Sequence, residues 1–495
     1  MRNILFLCLL CAIAPVTVHA QDDFRKFKNN SERKFEKFKK KEEKKFESFR
    51  EQRNQEYADF VRKAWKGFQA MSPMPMPLDE KTIPPTVYPQ DKPQPLENKQ
   101  KTFDEIIPIP QPEPQPQPIE PIEEKGTPVV EVYFHFTFYQ TEIKVRLADS
   151  DKFQMKGCSE NDVAEVWELL SQAKYAPLIN DCLIIRSQYA LCDWAYLGML
   201  RQLADSFLGK NTNESTMLTA FLYCQSGYKM RMARSNGKLY MLFASKHTIY
   251  KQPYFTIDNE TYYPLKCPEK KLEICQVSYP HEKEMSLYIK SNQKLGYTQT
   301  SGRRLNAKKY PDMLVETSTN QNLIDFYRTY PSSEINQDFM TRWAMYANTP
   351  LCQETSKTLY GKLKASIAGL CEKEAVGKLL NFVQTAFPYE YDNKIWGGDR
   401  AFFAEETLYY PYCDCEDRSI LFSRLVRDLL HLDVILVYYP GHLATAVAFT
   451  GNVTGDYLQI NGKKYTVCDP TYINAPVGST MPGMDNQKAK VILLK

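Results

Sequence analysis

Past its first twenty residues this chain has no apolar stretch long enough to cross a bilayer. Histidine is scarce: there are six in 495 residues, and one of them, His19, lies in the leading segment. The Cys413-Asp414-Cys415 pair has a single residue between its thiols, and no second cysteine pair follows at zinc spacing. No metal or phosphate motif marks the middle of the chain, so neither a metal centre nor a cofactor is expected. These absences turn attention to the few residues that carry reactive groups.

The leading segment reads as an export signal. Arg2 gives it a positive start, Ile4 to Val18 is apolar apart from Pro15 and Thr17, and Val18-His19-Ala20 offers a small-residue cleavage pattern. Leu10 before Cys11 is bulkier than lipoprotein processing accepts, so release to a periplasmic or extracellular space is expected over a lipid anchor. Of 13 cysteines, Cys8 and Cys11 leave with that segment. The odd remainder suits one unpaired, reactive thiol in an exported protein. Cys182/Cys192 and Cys267/Cys275 are close enough along the chain to pair, though spacing alone does not establish it.

Residues 21–71 form a basic segment with an 11-residue aromatic repeat: Phe24/Phe27, Phe35/Phe38, Phe46/Phe49 and Tyr57/Phe60, continued by Phe68. Eleven residues span about three helical turns, so the rings form a slowly drifting stripe on one amphipathic, coiled-coil-like helix. From Phe24 to Phe68 there are 16 Lys and Arg against 8 Asp and Glu. Such a helix docks its aromatic seam on a globular body or another helix, or serves as an arm for self-association or an anionic envelope surface. Nucleic acid is not expected as a partner, because no reading module follows. Residues 72–128 are proline-rich, stiffest from Pro110 to Pro118, and read as an extended spacer.

Two folded units are expected beyond it, at 129–348 and 349–495. The first mixes strands (Val130 to Phe138, Glu142 to Leu147, Lys238 to Ala244) with helices (Asp162 to Ala173, and one long helix over Leu183 to Leu208). It reads as an accessory α+β domain that shapes a substrate cleft. The second opens with helices over Gln353 to Cys371 and Glu374 to Phe387. A helix then follows Cys415, and short strands begin at Val434, Thr445, Asp456, Lys464 and Lys490.

The chemistry gathers in this second unit. Cys415 stands at a helix start, where unpaired amides and the helix dipole favour thiolate and lower the thiol pKa. Its backbone N–H is the natural first oxyanion donor. Glu416 and Asp417 occupy the first turn, where carboxylates stabilise any helix. His442, entered through Pro440-Gly441, is the base candidate. His431 lies about 24 Å away along the helix, and the other histidines fall in the first unit. Asp469, before Pro470, is placed to fix the tautomer of His442. Cys413 is either a buried neighbour or a partner that regulates Cys415 through a disulfide.

Cys415-Glu416-Asp417, the helix through Leu430, His442 and Asp469-Pro470-Thr471 resemble the transglutaminase-like superfamily of cysteine enzymes, in a secreted bacterial form. The preceding Phe382-Val383-Gln384 and Tyr389-Glu390-Tyr391-Asp392 resemble the lead-in to that core, and the likeness spans roughly Gly377 to Thr471. It implies a papain-like α+β core with Cys415 as nucleophile, His442 as base and Asp469 as orienter. Trp396 or Tyr412 would offer a second oxyanion contact. Leu443-Ala444 replaces the Ala-Trp that often follows the histidine, and a long hairpin separates His442 from Asp469. Both departures bear on substrate subclass. The expectation is a peptidase-like thiol enzyme acting on peptide or protein amides through an acyl-enzyme. Crosslinking or deamidation would use the same residues, and a catalytically silent scaffold is the alternative.

Overall fold

The computed structural model describes residues 50–63, 65, 71–74, 96–118, 122, 132–335 and 338–495. The expected export signal, the aromatic arm before residue 50, Phe68 and residues 75–95 of the proline-rich stretch lie outside them. The described residues form a mixed α+β fold. Among them no helix is long and apolar enough to cross a membrane.

In the first unit, helices Glu160–Leu170, Ala176–Gln188, Asp193–Leu208 and Asn213–Gln225 pack beside a five-stranded antiparallel sheet. The single helix expected over Leu183 to Leu208 is two helices. Between them the chain turns at Ala190, which adopts a left-handed φ of 51°. Apolar spacing runs through the break because both helices bury a face in the same core, so periodicity alone does not reveal the interruption. The end of the basic segment is a helix at 50–63 that docks on this unit. Tyr57 packs on Trp167 with ring centroids 4.5 Å apart, Asn54 bonds Gln225 and the Trp167 indole, and Trp65 lies under the Arg234 guanidinium. Phe60, its partner in the repeat, is 58% exposed. The ring stripe therefore does not bury as one seam here.

The second unit is a six-stranded sheet with helix Cys415–Leu430 across one face. Its strand order is Glu105–Ile107, Lys490–Leu493, Val434–Tyr439, His442–Val447, Lys463–Cys468, Tyr457–Ile460. The helix buries Ile420, Leu421, Phe422, Leu425, Val426 and Leu429. Helix Glu372–Ala386 packs on its other side.

The proline-rich stretch, expected to be a free spacer, is bound wherever it is described. Glu105–Ile107 adds a parallel edge strand to Lys490–Ile492, and Ile107 is buried. Upstream, Lys101 N–H donates to Tyr457 O at 2.7 Å and Lys101 pairs with Asp456. Downstream, Gln115 donates to Leu191 O and Asp193, and Arg186 donates to Pro116 O. Gly227 meets Gln117 O so closely that a Cβ there would sit 2.1 Å from it. Proline carries no N–H, but its carbonyl and the interspersed Lys and Gln supply the bonds that hold the strap.

The strap links the two units, and one apolar core runs through both, from Tyr57 to Ile492. The expected boundary at 348/349 falls within packed structure: Arg424 and Arg427 of the Cys415–Leu430 helix donate to the carbonyls of Ala347 and Asn348. All eleven cysteines outside the leading segment are free thiols, so neither proposed pair forms and Cys413 makes no disulfide. Burial raises the thiols of Cys182 and Cys192 above their ordinary range.

Candidate active site

Each residue of the proposed triad reaches its place for a local reason. The helix begins at Cys415 with Asp414 as the preceding cap residue. Asp417 turns back to accept the Asp414 N–H at 3.1 Å and takes the Phe402 N–H at 2.8 Å, so it stabilises the helix start as expected. His442 opens a strand directly after the turn Pro440-Gly441, which joins the partnered residues Tyr439 and His442. Gly441 has φ of +80°, the value the third position of a type II turn demands after proline. Asp469 follows strand Lys463–Cys468, which is antiparallel to the His442 strand.

These elements bring two of the three groups into a direct bond. His442 Nε2 lies 2.9 Å from Asp469 Oδ2, with both side chains 2% exposed. The other oxygen, Oδ1, accepts the Thr471 and Tyr472 N–H groups. One carboxylate edge is thus anchored to the backbone and the other faces the imidazole. Gln384 locks the turn that follows: its Nε2 donates to the carbonyls of Asp469, Tyr472 and Ala475. With Nε2 occupied by Asp469, Nδ1 is the ring atom that would serve a thiol.

Cys415 meets the His442 strand through the next residue. The Leu443 backbone N–H favours the thiol anion, and Ser419 of the same helix donates to Leu443 O at 2.8 Å. The thiol hydrogen itself points to Glu416 Oε2, 3.2 Å away. Burial raises the Cys415 thiol well above its ordinary range, and Glu416 and Asp414 raise it further. The lowered thiol expected from the helix start is therefore overturned. The helix dipole contributes only partial charges, whereas burial strips the sulfur of solvating water and the acids Glu416 and Asp414 stand beside it.

Glu416 does not act only as a helix-start carboxylate. It belongs to a buried acidic cluster with Asp392, Asp399, Asp414 and Asp417. Burial, then Asp399, pushes Glu416 up to about 7. Burial, then Glu416, pushes Asp392 up to about 8. Burial raises Asp414 and Asp417 as well. Two sets, Asp392/Asp414/Asp417 and Asp392/Asp399/Glu416, bring oxygens within 4.8 Å of one another, close enough to share a cation or a proton. Arg342, on helix Thr341–Asn348, pairs with Asp399 and partly offsets the charge.

Of the two aromatic residues expected to add an oxyanion contact, Trp396 is packed elsewhere and Tyr412 faces solvent. The Trp396 ring lies against Arg400, Phe402 and Tyr410, and Tyr412 is 41% exposed. Sequence reading missed the parts played by Gln384 and the carboxylates. The three acids within four residues around Cys415 (Asp414, Glu416 and Asp417) and the Tyr389 to Asp392 run were the available signals. Compared with protein-family models, curated proteins and solved structures, the chain matches none.

Proposed function

We propose that this chain is an exported thiol enzyme that hydrolyses peptide or protein amides through an acyl-enzyme on Cys415, on a papain-like, transglutaminase-like core. The observation that carries the reading is the buried His442–Asp469 pair, whose His442 stands on a strand that the Cys415 helix holds directly through Ser419, which donates to Leu443 O. Cys415 attacks the amide carbonyl while His442 takes the thiol proton. The same imidazole then protonates the leaving amine, and Asp469 holds the ring in its working tautomer. Because the resting thiol is raised, proton removal is coupled to attack and the site holds no standing thiolate. Water then releases the acyl group; an amine in its place would give transfer or crosslinking.

A second reading is a silent scaffold of the same fold. The closed setting favours it: Cys415 is 2% exposed and its hydrogen is given to a carboxylate. Fluorescently labelled casein, incubated with and without a biotinylated alkylamine, separates the readings. The enzyme reading expects cleavage that Cys415→Ala abolishes and Cys413→Ala spares. Biotin incorporation in place of cleavage marks the transfer variant. Neither product from the intact chain leaves the scaffold.

A further inference from the structure

We infer that the Tyr389 hydroxyl is the second oxyanion donor of the Cys415 site, the partner of the Cys415 backbone N–H. The inference rests on the acyl-enzyme reading above. Tyr389 is carried next to the nucleophile by backbone pairing: it forms a parallel bridge with Cys413, two residues ahead of Cys415. Cys413 N–H donates to Pro388 O and Glu390 N–H donates to Cys413 O, each at 3.2 Å. The ring is fixed from the other side by Arg418, on the first turn of the Cys415 helix, whose guanidinium carbon sits 5.1 Å from the ring centroid. Arg418 also donates to Phe387 O, so one side chain orders both the ring and the segment that bears it.

So held, the phenol is left with an unused donor. Among the described residues the Tyr389 hydroxyl is buried and has no hydrogen-bond partner. A buried O–H without an acceptor is costly, and such groups persist where a ligand completes them. After burial, the group that acts most strongly on this phenol is Cys415, ahead of Asp414 and Glu416. Two carboxylate oxygens of the same cluster, Asp414 Oδ1 and Glu416 Oε1, are unpartnered as well. A donor and acceptors left unpaired around one thiol match an amide, whose oxygen needs donors and whose N–H needs acceptors.

The step balances within the site. The sulfur bonds to the carbonyl carbon as its proton passes to His442. The carbonyl π pair moves to oxygen, and that oxyanion accepts hydrogen bonds from Tyr389 O–H and Cys415 N–H. Collapse restores the carbonyl, breaks the bond to the leaving group and returns the proton from His442 to it. Tyr389 donates a hydrogen bond throughout and never gives up its proton, in keeping with a phenol raised by burial.

The test uses the full chain, with p-nitrophenyl acetate as acyl donor and iodoacetamide as a probe that forms no oxyanion. Tyr389→Phe keeps the ring on Arg418 and removes only the hydroxyl. The expected result is a fall of roughly 100-fold in the rate of Cys415 acetylation, the usual cost of one oxyanion donor. Iodoacetamide alkylation of Cys415 should stay as in the parent, and the unfolding temperature should not fall. Acetylation at the parent rate overturns the role of Tyr389 and leaves the nucleophile standing. Equal loss in both reactions also overturns it, since a structural role alone explains that. No acetylation of Cys415 in the parent chain overturns the acyl-enzyme reading and this inference together.

Discussion

Glu416 sets the resting state of Cys415. A carboxylate that accepts the thiol hydrogen stabilises the neutral thiol and opposes its anion, so it works against the helix dipole. Its own titration near 7 gives the sign of the pH dependence. Below that pH it is neutral and the penalty on the thiolate eases; above it the added charge raises the penalty. Glu416→Gln should therefore speed iodoacetamide alkylation of Cys415 several-fold at pH 7.5, with a smaller gain at pH 6. Peptide mass spectrometry of the labelled site reads the rate. A slower rate in Glu416→Gln would mean that the carboxylate serves as a base and would reverse this account. The three proposed site residues stand out in the sequence because cysteine at a helix start, histidine after Pro-Gly and aspartate before proline are local signals, and of them the structure bonds His442 to Asp469. The acidity around the thiol was not, because Asp392 and Asp399 come from a segment that only the fold brings against Glu416.

At the level of elements, the His442–Asp469 bond depends on where a strand ends. Lys463–Cys468 stops one residue short of Asp469, and the following turn is held by one side chain, Gln384 of helix Glu372–Ala386. Gln384→Leu would leave the carbonyls of Asp469, Tyr472 and Ala475 without this donor in a buried site. The expected cost is about 2 kcal/mol or more of stability, with a fall in turnover larger than the fall in substrate affinity. Denaturant unfolding and a comparison of kcat with KM check both. Unchanged stability and turnover would show that the turn holds itself. Strand edges were read to within a few residues where alternation is strong, as at Val434–Tyr439. The His442 strand begins three residues before the expected Thr445, since His442 pairs straight across the turn with Tyr439. Such pairing is a property of two strands and cannot be read from one.

For the whole molecule, the strap is what composition concealed. Proline content argued for a spacer, yet residues 96–118 stitch the edge of the second sheet to the helices of the first unit. Those contacts join positions hundreds of residues apart, such as Lys99 with Asp456, which no local pattern encodes. The shared core has the same consequence: the helix at Thr341–Asn348 supplies Arg342 to the acidic cluster, so the first unit takes part in the site.

The central claim is that Cys415, served by His442, carries an acyl group. Trapping that group tests it most directly. The full chain is mixed with p-nitrophenyl acetate, quenched in acid within the burst and digested for peptide mass spectrometry. The account predicts one acetyl group on Cys415 and none on Cys413, with His442→Ala slowing its appearance by at least 100-fold. Acetyl groups spread over several thiols, or a Cys415 adduct that forms as fast without His442, would contradict it.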